Sequence, residues 1–236
     1  MSYGRRPGDG GRRPFARPQD DPPGTSRLFV AVPVADDVRD AVGRLMEQLA
    51  GAPIDVRAPG QPRWVHVDGL HLTLRFLGAT PDVRLQELSA AVAATARGVA
   101  PFRVELTGGG AFPTPQRPRV LWIGIGAGAT QLEALGRRLN VELAHLGWPP
   151  DERPFTAHLT LARTDGVPGS DEKARRLIEL AREVRLGWQA DSLILYKSHL
   201  GRGPTRYEAL AVGRLSGGGA LSADRPMGPP DQADRS

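Results

Sequence analysis

The tetrapeptide His-Leu-Thr-Leu occurs twice in this chain, at residues 71–74 and again at residues 158–161. The chain has only five histidines, so a chance repetition that uses two of them is a poor explanation. Side chains alternate between the two faces of a β-strand, and the histidine and threonine of each copy therefore share one face. Each copy thus presents an imidazole and a hydroxyl on one face and two leucine anchors on the other.

The sequence around the two copies also repeats. Apolar periodicity predicts the same order in each half: a strand, a helix, the histidine strand, a second helix and a closing strand. The predicted elements of the first half are a strand at 28–33, a helix from Asp36, a strand at 71–78, a helix after Pro81 and a strand at 102–106. Those of the second half are a strand at 120–125, a helix over 132–146, a strand at 155–163, a helix capped by Asp171 and a strand at 192–197.

We interpret this order as an internal duplication. Duplicated units pack as a pseudo-symmetric pair, so the two histidine strands are expected to line one cleft. A final strand at 206–212 is expected to pair back into one lobe. The two ends are rich in Pro, Gly, Arg and Asp, and residues 1–26 and 217–236 are predicted to be disordered tails around a domain at 27–216.

Composition limits the class of protein. The 236 residues contain no cysteine, which excludes disulfides, thiolate nucleophiles and cysteine-bound zinc or iron–sulfur centres. No segment approaches the roughly 18 consecutive apolar residues of a membrane span, so we expect a soluble, cytoplasmic protein, and we expect it to be a monomer. The formal net charge of +5 allows a polyanionic partner such as RNA without requiring one.

The paired residues favour phosphodiester chemistry. Two imidazoles that face one cleft suit a reaction in which one proton is removed and another delivered, because a free imidazole titrates near neutrality. The threonine hydroxyls suit phosphoryl oxygens, and Arg75 or Arg163 can supply positive charge. Strand alternation places Arg75 on the face of His71 and Thr73, opposite Phe76.

The chain resembles a known family in these residues and their flanks. The two motifs look like the paired His-x-Thr-x signatures of the two-histidine phosphoesterase superfamily. The segments LFVAVP, RWVHVDGLHLTLRFLG, FPTPQRPRVLWIGI, RPFTAHLTLAR and LYKSHLGRGPTRYEAL resemble the bacterial and archaeal RNA 2′,3′-cyclic phosphodiesterases, also called 2′-5′ RNA ligases. The resemblance spans about residues 27 to 214.

The resemblance implies both the fold and the reaction. The fold would be α+β, with two lobes whose antiparallel sheets line a central cleft and whose helices lie outside. The reaction would open a terminal RNA 2′,3′-cyclic phosphate to a 2′-phosphomonoester without a cofactor or metal, and 2′-5′ ligation would be a further activity. His71 would be the proton donor, His158 the proton acceptor, and Thr73 and Thr160 would bind the phosphate.

Two positions need comment against the family's pattern. Arg163 matches the arginine that ends the second motif, but its spacing from His158 is odd, so a regular strand would turn it away from the cleft. It needs a β-bulge or the end of the strand to reach the phosphate. Ala157 stands where the family often has proline, which removes backbone rigidity but no reacting group.

Other interpretations of the sequence are possible. The GIGAGA segment at 124–129 formally fits a dinucleotide-binding fingerprint, but the equivalent junction of the first half has no glycine. No further histidine or carboxylate at metal-ligand spacing accompanies the two histidines. The alternatives are a phosphodiesterase for a small cyclic phosphate, such as an ADP-ribose cyclic phosphate, and a non-catalytic RNA-binding module in which Trp64 or Phe112 stacks on a base. His66, five residues before His71, is expected at the cleft rim or on the surface, whereas His145 and His199 are expected to have no role in the reaction.

Overall fold

The computed structural model describes residues 22–51, 61–150, 155–199 and 205–217, and nine strands and four α-helices lie in these ranges. The strands are β1 (Thr25–Pro33), β2 (Arg63–Trp64), β3 (His71–Pro81), β4 (Phe102–Phe112), β5 (Val120–Ile125), β6 (His158–Arg163), β7 (Leu186–Ala190), β8 (Ser192–His199) and β9 (Arg206–Arg214). The helices are α1 (Asp36–Ala50), α2 (Leu85–Ala96), α3 (Ala129–His145) and α4 (Ser170–Leu180). None of these described helices has both the length and the apolar character that a membrane crossing requires.

The strands form two antiparallel sheets. The first sheet has the order β3-β1-β8-β9, and the second has the order β2-β6-β5-β4-β7. In each sheet the histidine strand lies beside the opening strand of its own half, β3 beside β1 and β6 beside β5. The next strand is exchanged, because β4 from the first half lies in the second sheet while β8 and β9 complete the first. The predicted two-lobed α+β fold is therefore confirmed, and each lobe contains strands from both halves.

One continuous core holds the two lobes together. The leucines of the two motifs and the alternate residues of β1 and β5 join a single buried apolar cluster. Helices α2 and α3 contact strands of the first sheet, and α1 and α4 contact strands of the second. Between the sheets, the indole N–H of Trp188 on β7 donates to the carbonyl of Pro33 at the end of β1, at 3.0 Å. This bond fixes the second lobe against the strand that pairs with His71.

The structure corrects the predicted domain boundary. Thr25 and Ser26 fall in the predicted N-terminal tail, but both belong to β1, and the hydroxyl of Ser26 is buried and donates to Asp82 at 2.6 Å. Gly217, in the predicted C-terminal tail, donates its backbone N–H to the carbonyl of Val99 at 3.0 Å. The rest of both predicted tails, residues 1–21 and 218–236, lies outside the described residues.

Helix α4 begins differently from its prediction. The sequence predicts Asp171 as its cap, but the helix starts at Ser170 after Gly169, whose φ of 73° is left-handed. The Ser170 hydroxyl donates to the carbonyl of Val167 at 2.6 Å. Asp171 lies in the first turn instead, where a carboxylate favours the helix dipole, and it pairs with Arg175 at 3.0 Å.

The glycine-rich segment at 124–129 has a packing explanation. It joins β5 to α3, and β5 is antiparallel to both of its neighbours, so the parallel unit of a dinucleotide fold is missing from this part of the described chain. Gly128 has a φ of 89°, and a Cβ there would lie 2.5 Å from the carbonyl oxygen of Arg103. The segment therefore needs glycine to pass close to β4.

Truncating a motif leucine tests the core. Leu159 lies between His158 and Thr160 and is fully buried. Leu159→Ala is expected to lower the free energy of unfolding by roughly 2–5 kcal/mol, because it leaves a cavity in the shared core. Val141→Ala on α3, where Val141 is 57% exposed, is the control and should change it by less than about 0.5 kcal/mol. Urea unfolding measures both, and equal effects would contradict the assigned core.

Candidate active site

The two motif histidines are held in the same way. His71 Nδ1 lies 2.7 Å from the carbonyl oxygen of Gly69, and His158 Nδ1 lies 2.7 Å from that of Thr156. A carbonyl oxygen can only accept, so each Nδ1 carries the proton and donates it. The lone pair of the neutral ring is therefore on Nε2 in both cases. Each histidine is thus set to accept a proton at Nε2 or, once charged, to donate one from it.

Each histidine strand contains a one-residue bulge at the same place. On β3, Thr73 is opposite Ala31 and Arg75 is opposite Val30, so Leu74 is the extra residue. On β6, Thr160 is opposite Trp122 and Ala162 is opposite Leu121, so Leu161 is the extra residue. A bulge shifts the alternation of side chains by one residue. The two residues after the fourth position of each motif therefore face opposite to the prediction for a regular strand, and on β3 a second irregularity follows at Leu77.

The bulge on β6 brings Arg163 to the face of His158 and Thr160. Arg163 needs a bulge or the end of the strand to reach the cleft, and the bulge at Leu161 is such an irregularity. Burial lowers the pKa of His158 and raises that of Tyr207, which comes from β9 of the other sheet, and the positive charge of Arg163 acts on both groups in the lowering direction. Since Tyr207 contacts His71, the surroundings of the two histidines belong to one cleft.

The bulge on β3 has the opposite result for Arg75. Its side chain is buried, and its guanidinium donates to the carbonyl of Pro149, beyond the end of α3. The expectation that Arg75 shares the face of His71 is therefore wrong, because Leu74 interrupts the alternation. Phe76 takes the place that corresponds to Arg163 and is 62% exposed, although strand alternation predicts that it faces the core.

Aromatic rings surround both imidazoles, more closely around His71. Phe29 lies at 4.7 Å between ring centroids with its ring tilted by 32°, Tyr207 meets His71 edge-on at 5.1 Å, and Tyr196 lies at 6.2 Å. For His158, the rings are those of Phe112 at 5.1 Å and Trp122 at 6.3 Å.

Burial in these rings changes the proton affinity of both histidines. It lowers the pKa of His71 from its ordinary value of 6.5 to about 4, and the hydrogen bond to the Gly69 carbonyl opposes this. Burial also lowers the pKa of His158; the bond to the Thr156 carbonyl opposes it, and the charge of Arg163 adds to it. Both imidazoles are therefore neutral at pH 7 in the free protein.

The sequence did not reveal most of this aromatic lining. Phe29, Tyr196 and Tyr207 carry no local signal of their role, because their position depends on which strands pair. Of the two rings considered for base stacking, Trp64 is buried and paired with Ala162 on β6, whereas Phe112 packs against His158. Trp64 is thus part of the core.

The other three histidines lie outside the two motifs. His66 is about half exposed and lies 3.4 Å from Asp68, and His199 ends β8 and lies 2.7 Å from Glu208. His145 is exposed at the end of α3. Within the described ranges, no three histidine, aspartate or glutamate side chains come together as a metal-binding group.

The comparisons with known proteins agree with this geometry. Residues 44–202 match the sequence model of the 2′-5′ RNA ligase superfamily. The RNA 2′,3′-cyclic phosphodiesterase of Methanothermobacter thermautotrophicus is 32% identical over 190 residues, which cover 80% of this chain and 98% of that protein.

Solved structures show the same fold. The protein TT0787 of Thermus thermophilus aligns with a TM-score of 0.65 and 29% identity, over 82% of this chain and all of that one. E. coli LigT complexed with 3′-AMP aligns with a TM-score of 0.61 and 26% identity, over 81% of this chain and 99% of that one. The fold and the paired sites define a phosphoesterase of the two-histidine type. More narrowly, the chain belongs to the 2′-5′ RNA ligase superfamily.

A glycine beneath Trp122 provides a test of the His158 surroundings. A Cβ at Gly110 would lie 2.2 Å from Cζ2 of Trp122, so Gly110→Ala must displace the indole, which packs beside Phe112 and His158. We expect a loss of roughly 1–3 kcal/mol in the free energy of unfolding and a shifted Trp122 indole N–H resonance.

The matched control is Gly136→Ala. Gly136 lies in α3, and nothing lies within 4 Å of a Cβ added there. This substitution should raise the free energy of unfolding by about 0.5–1 kcal/mol, since alanine is the better helix former. If both variants unfold alike in urea, the packing of Trp122 on Gly110 is wrong.

Proposed function

We propose that this protein hydrolyses a terminal RNA 2′,3′-cyclic phosphate to a 2′-phosphomonoester by metal-independent acid–base catalysis. The observation that carries the proposal is the pair of pseudo-equivalent histidines, each with Nδ1 fixed by a carbonyl and Nε2 left for proton transfer. The relative from M. thermautotrophicus is named RNA 2′,3′-cyclic phosphodiesterase, which supports the choice of substrate.

The proposed step transfers two protons. Water attacks phosphorus and gives a proton to Nε2 of His158, while the bond from phosphorus to the ribose 3′ oxygen breaks. His71, protonated at Nε2, gives its proton to that oxygen, and the phosphate stays on the 2′ oxygen. The assignment of His71 as donor and of the 3′ oxygen as leaving group follows the family resemblance.

The charges around the site support these roles. Arg163 lies near His158 and favours its neutral form, which is the form that a base requires. His71 must be charged to act as an acid, although burial disfavours this in the free protein. The negative charge of a bound cyclic phosphate raises its pKa, so the acid becomes protonated as substrate binds.

The remaining groups bind the phosphate in this proposal. Thr73 and Thr160 follow their histidines on the same faces and offer hydroxyl donors to the phosphoryl oxygens. Arg163 supplies the positive charge that stabilises the transition state. Arg75 is not included, because its guanidinium donates to Pro149 on the other side of the sheet.

Ligation is the second proposed activity of the same site. If the 5′-hydroxyl of another RNA replaces water, the same proton transfers form a 2′-5′ phosphodiester, and the cyclic ester supplies the driving force without ATP. Hydrolysis should dominate because water is abundant.

Removal of either histidine tests the acid–base mechanism. His71→Ala and His158→Ala should each lower kcat by roughly 10²- to 10⁴-fold on an oligoribonucleotide ending in a 2′,3′-cyclic phosphate, because each removes one proton transfer. His199→Ala, which removes an exposed side chain paired with Glu208, is the control and should keep the activity of the unaltered chain.

The same assay separates the competing functions. A chelator should change little; loss of activity on chelation with recovery on added zinc would contradict metal independence. A 2′,3′-cyclic mononucleotide and an ADP-ribose cyclic phosphate are compared in parallel. Turnover of only the small substrates would contradict RNA as substrate, and no turnover with retained RNA binding would identify a binding module.

The position of the product phosphate tests the orientation of the substrate. We expect a 2′-phosphate terminus, since the 3′ oxygen is the proposed leaving group opposite the attacking water. Phosphorus NMR of the hydrolysed oligonucleotide distinguishes the two isomers. A product that is mainly 3′-phosphate would mean that the substrate lies reversed between His71 and His158, and their roles would be exchanged.

A further inference from the structure

The two histidines are equivalent by position but not by surroundings. Both open a bulged strand and both donate to the carbonyl two residues before them. The strand order also makes Tyr196 on β8 the counterpart of Phe112 on β4, because each lies on the strand two places from the histidine strand of its sheet. Tyr207, which also lies beside His71, has no such counterpart among the described residues. It comes from β9, and the strand in the corresponding place of the second sheet, β7, uses Trp188 to bond Pro33 instead.

Tyr207 contacts His71 and the group that anchors it. Its ring is perpendicular to the imidazole, at 87° and 5.1 Å between centroids, and it meets Phe29 edge-on at 5.1 Å. It also covers the α-carbon of Gly69, where an added Cβ would lie 2.9 Å from Cε2 of Tyr207. Gly69 provides the carbonyl that accepts from His71 Nδ1. One ring therefore confines both partners of the hydrogen bond that sets the tautomer.

We propose that Tyr207 is a positioning residue for the proton donor: its ring holds the His71 imidazole against the Gly69 carbonyl and makes the two motif histidines chemically unequal. The functional part of this inference rests on the proposed function, since only that reaction gives His71 the role of acid. The structural part, the confinement of His71 by Tyr207, is independent of any substrate.

The groups that face His71 determine the direction in which its proton affinity changes. Tyr196 from β8 and Tyr207 from β9 are the titratable neighbours, Arg163 from β6 acts on Tyr207, and Arg39 from α1 acts on Tyr196. Burial raises the pKa of both phenols, so both are neutral near pH 7 and exclude water without adding charge. An imidazolium held in such surroundings releases its proton more readily, which suits an acid acting on a poor leaving group.

Removing the ring should reverse this effect. Tyr207→Leu admits water to His71, and the pKa of His71 should then rise from about 4 towards its ordinary value of 6.5. We expect a rise of at least about one unit for His71 and less than about 0.3 unit for His158, which Tyr207 does not surround. Tyr207→Phe keeps the ring and should hold the His71 pKa within about 0.3 unit of that of the unaltered chain.

The measurement is an NMR titration of the histidine Cε1–H resonances in the full chain without substrate. His71→Gln and His158→Gln assign the two signals. Glu208→Gln is the matched control on β9, since Glu208 follows Tyr207 directly but bonds to His199. In the activity assay, Tyr207→Leu should lower kcat roughly 10- to 100-fold with a smaller change in KM, and the alkaline limb of the kcat profile, where the proton donor His71 loses its proton, should move to higher pH. Tyr207→Phe should restore the position of that limb.

Each result decides the proposal. An unchanged His71 titration in Tyr207→Leu overturns it, and so does a Tyr207→Phe variant as impaired as Tyr207→Leu, since the hydroxyl would then be responsible. If Tyr207→Leu does not fold, Gly69→Ala tests the same contact from the other side and should also raise the pKa of His71. Absence of turnover on cyclic-phosphate RNA would contradict the proposed function, but the titration would still support or overturn the role of Tyr207.

Discussion

A regular β-strand cannot place its first, third and sixth residues on one face, and the candidate active site of this protein depends on that arrangement. The bulge at Leu161 resolves the conflict on β6, because it lets His158, Thr160 and Arg163 face the cleft together. The bulge is itself held from a second side, since the backbone N–H of Val65 donates to the carbonyl of Leu161 at 2.8 Å. Strand β2 and the residue after it therefore support the geometry of a site that they do not enter.

The same bulge in β3 shows how a duplicated scaffold becomes asymmetric. The backbone irregularity is repeated at Leu74, but the side chain that it delivers to the cleft is Phe76 where the other strand delivers Arg163. The side chain that it turns inward is Arg75, which bonds to Pro149 on the approach to the second motif. One lobe thus supplies charge, and the other supplies apolar surface. The exchange of β4 and β8 between the lobes keeps these two contributions in a fixed relation, because neither lobe can be completed by one half of the chain.

Much of this fold could be predicted from local patterns, and the parts that could not depend on strand pairing. Strand β5 has the predicted bounds, and α1 begins at the predicted Asp36, because apolar periodicity is a property of the segment itself. Apolar periodicity does not predict strand β7, because Gly187 and Gln189 interrupt its apolar pattern. The bulges could not be predicted from the sequence for a different reason. Leu74 and Leu161 look like ordinary strand residues, and only the register against β1 and β5 makes them extra. Because the bulges depend on this register, alternation in a regular strand places Arg75 on the face of His71 and turns Arg163 away from the cleft, and both placements are wrong.

The electrostatics of the cleft connect substrate binding to the proposed chemistry. Aromatic burial keeps both imidazoles neutral in the free protein, and the carbonyls of Gly69 and Thr156 fix the same tautomer in each. Two neutral imidazoles of the same tautomer cannot perform one acid step and one base step, so nearby charge must make them differ in protonation. Arg163 does this from one side by favouring the neutral form of His158. A phosphate anion does it from the other side by favouring the charged form of His71. In the proposed reaction, substrate binding and protonation of the acid are therefore thermodynamically coupled. For this reason a buried histidine whose pKa is low in the free protein is compatible with the role of proton donor.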